Sequence, residues 1–172
     1  KRQEVFFNKT LAPNEMNRLL DNKVLTNFKR YDKDGEHEVD SIVDTDNLII
    51  KGNNLLALYS LKKGYAGKIK TVLIDPPYYF NKVKASDSFN YNSNFKLSTW
   101  LVFMKNRLEV ARDLLSNDGF CIIIIGEEGY AHLKILSDEI FGVDKYVGTI
   151  SWRKSDNQAN VGEFAKVTDY IL

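Results

Sequence analysis

Cysteine is almost absent from this chain: its 172 residues contain one, Cys121. No disulfide can form within the chain, and a reducing cytoplasm is the expected compartment. Proline is nearly as scarce, with three residues, so few points of the backbone are stiffened. An excess of one charge is missing too. Twenty-four Lys and Arg stand against 23 Asp and Glu, for a formal net charge of +1. That excludes a polybasic chain holding nucleic acid by bulk charge, while leaving room for a local basic patch. No apolar run approaches the roughly 20 residues of a membrane-spanning helix, and the start KRQEVFFNKT has no secretion-signal stretch. His37 and His132 have no ligand-spaced partners, so no metal site is expected. With 44% hydrophobic and 27% charged residues, the chain has the composition of a folded protein. Its length suits one domain rather than two.

Residues 1–45 are polar and weakly periodic, and read as an N-terminal extension without chemistry. A short helix is expected near Asn14–Asn22. A hairpin is expected from Val24–Tyr31 and Glu36–Val43 across Asp34-Gly35, a favoured tight-turn pair. From Asn47 the pattern sharpens. Leu48–Ile50 reads as a short buried strand, and Gly52-Asn53-Asn54 as a turn that caps a helix with Leu55, Leu58, Tyr59 and Leu61 on one face, ended by Gly64. Thr71–Ile74 is a second strand. Ser98 is expected to cap a long helix with the stripe Leu101, Met104, Leu108, Ala111 and Leu115, stopped by Asp118-Gly119. Phe120–Ile125 reads as a strand buried on both faces, and Glu128–Ile140 as a helix with Leu133, Leu136 and Ile140 inward. The strands Tyr146–Trp152 and Val167–Leu172 have only a polar loop between them and should pair antiparallel. Together these elements predict an α/β fold: a mostly parallel sheet covered on both sides, with a terminal antiparallel strand. The apolar, strand-like run at Ile171-Leu172 leads to the expectation of a part of a longer protein.

Two of the three prolines fall together in Asp75-Pro76-Pro77-Tyr78, directly after a buried strand. Proline lacks an N–H, fixes its own backbone and drives the preceding residue to an extended conformation. The tetrapeptide is therefore a stiff turn at the C-terminal edge of the sheet, where open α/β sheets bind ligands. Asp75 supplies a carboxylate acceptor, Pro76 a carbonyl acceptor and Tyr78 a flat ring. Two acceptors beside an aromatic face suit a planar ring carrying an amino group, whose two hydrogens meet the acceptors while the ring stacks. The alternative is a plain strand-ending turn with a surface tyrosine.

The segments DNLIIKGNNLLALYSL, KTVLIDPPY, LSTWLVFMKNRLEVARDLLSNDGF, LSDEIFG, TISW and TDYIL, in this order over residues 46–172, resemble the amino-methylating DNA methyltransferases. The likeness is to the β group of adenine methyltransferases and, within it, to the modification (Mod) subunits of type III restriction–modification systems. The resemblance implies a Rossmann-like methyltransferase fold and S-adenosylmethionine as methyl donor. It also implies double-stranded DNA as substrate, with the target adenine flipped out of the duplex. Asp75, Pro76, Pro77 and Tyr78 would then be the catalytic motif: Asp75 and the Pro76 carbonyl hold the adenine amino group, and Tyr78 stacks on the base. Gly52, Asn53 and Asp75 would lie at the cofactor. A homodimer working with a restriction subunit is the implied assembly. The pattern FxGxG, which in that group follows the DPPY motif and a target-recognition region, does not occur in these 172 residues, and Tyr79-Phe80 stands where the family commonly has Asn-Thr. Residues 46–172 therefore read as the catalytic half of an incomplete methyltransferase domain. Cytosine amino groups, RNA or a protein amide remain alternative acceptors, and a non-catalytic DNA-binding or assembly fragment is the alternative from another class.

Around the motif, the segment Asn81–Lys96 mixes Lys82, Lys84 and Lys96 with Phe89, Tyr91 and Phe95, which suits phosphate contact and base stacking as well as it suits an ordinary loop. Arg153, within Trp152-Arg153-Lys154, is a further DNA-contact candidate. Cys121 reads as a small buried apolar residue, and Glu127-Glu128 as the acidic start of a solvated helix, with contact to the cofactor pocket as the alternative. Lys105, Arg107 and Arg112 read as a solvated face interleaved with Glu109.

Overall fold

The computed structural model describes residues 25–43, 45–80, 96–155 and 167–172. The expected helix at Asn14–Asn22 lies outside them. The chain opens with a two-stranded antiparallel hairpin, β1 (Lys29–Asp32) and β2 (Gly35–Glu38), in which Asp32 pairs with Gly35. The hairpin was expected here; its arms are shorter and its turn is Lys33-Asp34, one residue earlier. Asp32 stabilises that turn by accepting from the Asp34 N–H at 2.9 Å.

Leu48–Ile50 is not a strand. Ile49 is 99% exposed, and no described strand runs beside it, so its apolarity finds no ladder to join. The following helix, α1 (Asn54–Tyr65), begins as expected: the Asn53 side chain accepts from the N–H groups of Leu55 and Leu56 at 3.1 and 3.3 Å. It runs one residue past Gly64.

A four-stranded mixed sheet forms the body, in the order β3 (Ile69–Ile74), β4 (Leu115–Gly126), β6 (Thr168–Ile171), β5 (Ile150–Arg153). One pairing, β3 with β4, is parallel, and two, β4 with β6 and β5 with β6, are antiparallel. The sheet described is thus mixed rather than mostly parallel. The antiparallel pairing of the last two strands is as expected. Between the β3 pairs at Leu115 and Phe120, β4 bulges through Ser116–Gly119. Gly119 sits so close to Ile69 that a Cβ would lie 2.9 Å from its carbonyl oxygen, which only glycine tolerates.

The helices α2 (Leu97–Leu114) and α3 (Glu127–Phe141) cover one face of the sheet. Trp100, Met104, Leu108, Ile123, Ile125, Leu133, Leu136 and Ile140 form the core between them. Each side chain of this size stabilises the fold by about 1.5–3 kcal/mol when fully buried. The inward face of α3 is as expected. In α2 the stripe is carried by Trp100, Met104, Leu108, Val110, Ala111 and Leu114. Leu101 is only half-buried, and Leu115 is already in β4. Ser98 does not cap α2: the cap position is Lys96, with no side-chain hydrogen bond. In β4 only Ile123 and Ile125 are fully buried, whereas Phe120 is 56% exposed. On that second face Leu73 is also open to solvent, so the described helices cover one side of the sheet rather than both.

Candidate active site

Strands β3 and β4 run side by side to Ile74 and Ile123, and β4 continues three residues further to Gly126. The Asp75–Phe80 segment leaves β3 beside this overhang. Asp75 is exposed, Pro76 buried, and Pro77, Tyr78, Tyr79 and Phe80 are half-buried. The stiff turn therefore stands at the C-terminal edge of the sheet, as its proline pair predicts.

The turn is held by groups far from it in sequence. Trp100, fully buried in the first turn of α2, donates its indole N–H to the Pro77 carbonyl at 2.7 Å. The Tyr79 ring packs on Trp100 at 5.7 Å and meets the His132 ring edge-on at 6.1 Å. The Tyr78 ring lies over Gly126, where a Cβ would come within 3.0 Å of its Cδ2 atom and 3.3 Å of Cε2. Glycine at the end of β4 is what allows this approach. Asp169 of β6, opposite Gly126 in the ladder, presents its carboxylate beside the same point and pairs with Lys154 at 2.8 Å. Trp100, Gly126, Asp169 and His132 were not singled out from the sequence as site residues. Only a helical repeat or a strand end marks them locally, and their meeting with the turn is tertiary.

The other candidates are placed as follows. Asn53 caps α1 through its amide oxygen, and Gly52 precedes it, exposed. Lys96 is exposed at the start of α2. Arg153 is exposed at the end of β5, paired in register with Thr168, next to the Trp152–Asp169 pair that continues the Gly126 row. Lys82, Lys84 and Tyr91, with the aromatic residues Phe89 and Phe95, lie outside the described residues.

Of the expected solvated face, Arg112 is exposed, while Lys105, Arg107 and Glu109 are half-buried. Lys105 pairs with Glu139 at 3.2 Å. Arg112 pairs with Asp113 at 3.1 Å. Arg107 donates to Asn54 at 3.0 Å and lies over the Phe103 ring; burial lowers its pKa. Cys121 is sheltered, and burial pushes its thiol up to about 11, the reverse of an activated nucleophile. A cavity of about 880 Å³ lies along β4, among Phe120–Ile123, Phe141 and Val147, and none of residues 75–80 lines it. Among the described residues no three His, Cys, Asp or Glu side chains group as a metal set, and no helix is long and apolar enough to cross a membrane.

Residues 69–172 match the family model described as DNA methylase. The chain is 47% identical over 157 residues to the probable type III restriction-modification enzyme HindVI Mod subunit of Haemophilus influenzae, covering 88% of this chain and 20% of that protein. It is 31% identical over 159 residues to the type III restriction-modification enzyme EcoP15I Mod subunit of Escherichia coli, covering 75% of this chain and 24% of the relative. The type II methyltransferase M.EcaI of Enterobacter cloacae is 34% identical over 129 residues, covering 73% and 28%. The matched part of the chain thus spans 20% to 28% of the length of these curated relatives.

Proposed function

This chain belongs to the DNA methylase family, and from that premise we propose that the full-length protein transfers a methyl group from S-adenosylmethionine to the exocyclic amino group of adenine in double-stranded DNA. The observation that carries the reading is the Asp75-Pro76-Pro77-Tyr78 turn: an exposed carboxylate and a seated aromatic ring side by side at the C-terminal edge of the sheet. Asp75 and the Pro76 carbonyl accept the two amino hydrogens of a flipped base, and Tyr78 stacks on its ring. Accepting both hydrogens turns the nitrogen lone pair outward. The residues then hold nitrogen in line with the incoming methyl group and exclude water, which is catalysis mainly by positioning.

The donor supplies an electrophilic methyl on sulfur. The residues present fit one side of a site for it. Asp75 is open to the sheet edge, and the Asn53 oxygen is already spent on the helix cap, so Asn53 would offer the cofactor its amide nitrogen. Residues 46–172 act as the catalytic half of a Rossmann-like methyltransferase domain, and residues 1–45 as an extension to it. Lys82, Lys84, Tyr91, Lys96 and Arg153 are proposed DNA contacts. The relatives named Mod subunits of type III restriction-modification enzymes support a restriction–modification setting with a restriction subunit as partner; a homodimer and a cytoplasmic location complete the proposal.

The test is tritiated methyl transfer from S-adenosylmethionine to unmodified plasmid by the full-length protein, followed by nucleoside analysis. Label in N6-methyladenine is expected. Asp75→Ala should lower the rate by at least about 100-fold, with an unchanged circular dichroism spectrum. Tyr78→Phe should stay near wild type, while Tyr78→Ala loses about 1–3 kcal/mol of stacking. Label in N4-methylcytosine, or an Asp75→Ala rate equal to wild type, overturns the assignment.

A further inference from the structure

A pair of prolines leaves the catalytic turn without two of its backbone donors, so it cannot be pinned by its own N–H groups at positions 76 and 77. At those two positions only the carbonyls and the rings are left to anchor it. Trp100 provides the carbonyl part. Its ring is fully buried, and its one donor, the indole N–H, reaches back 23 residues to the Pro77 oxygen at 2.7 Å. That bond fixes the plane of the peptide joining Pro77 to Tyr78, and the plane sets the direction in which the Tyr78 ring leaves the backbone. Gly126 then receives the ring from below, with no Cβ to push it away. Tyr79, the next residue, packs on Trp100 itself.

We propose that Trp100 is a positioning residue for methyl transfer: by occupying the Pro77 carbonyl it locks the turn so that the Pro76 carbonyl, and not that of Pro77, is presented to the target amine, with the Tyr78 ring aligned over Gly126. The inference rests on the reading of this turn as the methyl-transfer site. Trp100 touches no reacting atom. Its effect passes through the orientation of the groups that do, where displacements of an ångström matter.

Steady-state kinetics of the full-length protein on adenine-containing DNA test the idea with two variants. Trp100→Phe removes the donor and part of the ring. Replacing Trp100 by benzothienylalanine keeps the bicyclic shape and puts sulfur where the N–H stood. Both should lower kcat by about 10- to 100-fold while leaving KM for S-adenosylmethionine and the Kd for DNA within about threefold of wild type. A core variant with a matched melting-temperature loss, Leu108→Val, should keep its kcat when assayed well below the melt. A benzothienylalanine protein with wild-type kcat overturns the proposal, as does a Trp100→Phe loss no larger than that of Leu108→Val. A wild-type protein that methylates no adenine overturns the underlying reading instead, and with it the inference.

Discussion

Helices α1 and α2 lie against one another but are held in opposite ways. Six residues of α2 are buried. None of α1 is: its apolar residues Leu55, Leu58, Tyr59 and Leu61 are half-buried at most. Its polar anchors sit at its two ends. Asn53 caps it, Arg107 bonds Asn54 at 3.0 Å, and Lys62 reaches Asp113 at 2.8 Å. The difference teaches that two neighbouring helices can be secured by different means, one by a buried apolar stripe and the other by polar anchors at its ends. The turn at Asp75 is tied to α2 through Trp100, while the proposed cofactor-side turn at Asn53 belongs to α1.

The comparison breaks most visibly at Met104. Met104→Ala leaves a cavity in the centre of the core and should cost about 2–5 kcal/mol in denaturant unfolding, with α2, α3 and β4 losing cooperativity together. A loss below about 1 kcal/mol would mean that α2 is not the spine described. The next effect is at the cap. Asn53→Ala should cost about 1 kcal/mol, and amide exchange should show the loss within α1 alone, with protection of α2 unchanged. Equal loss of protection in both helices would show that they form one cooperative unit.

The smallest effect is the ion pair, and it carries a pH signature. Burial raises the Asp113 carboxyl, but hydrogen bonds from Lys62 and Arg112 outweigh it and the net shift is downward from 3.8. A carboxyl depressed in the folded state contributes stability that is complete above its ordinary value and disappears as pH falls through the folded one. Lys62→Met should therefore cost less than about 1 kcal/mol at neutral pH, as partly exposed pairs do. Its difference from wild type should vanish in acid, measured by melts from neutral pH to below 3.8. A difference that persisted there would assign the contact to packing along the lysine stem.

What could be read from the sequence was whatever leaves a local mark. The inward face of α3 repeats at helical spacing, the Asn53 cap precedes an apolar run, and two prolines after a strand admit few backbone paths. What could not be read depends on neighbours. Leu48–Ile50 has the composition of a strand, but Ile49 has no ladder beside it and stays exposed. Phe120 belongs to an unbroken apolar run, yet no described helix lies over its face of the sheet. Ser98 has the chemistry of a cap, but α2 starts one residue before it. Trp100 was visible only as a member of a helix; the hydrogen bond that links it to Pro77 spans 23 residues and has no sequence signature.

The chain carries two tryptophans, and their surroundings are opposites: Trp100 is 0% exposed and Trp152 is 59% exposed. Indole emission follows solvent relaxation, so the first emits at the blue end of the range and the second at the red. A quencher dissolved in water reaches only the second. The Asp75–Tyr78 turn and the outer strand β5 therefore report on themselves in separate optical channels, without any added label.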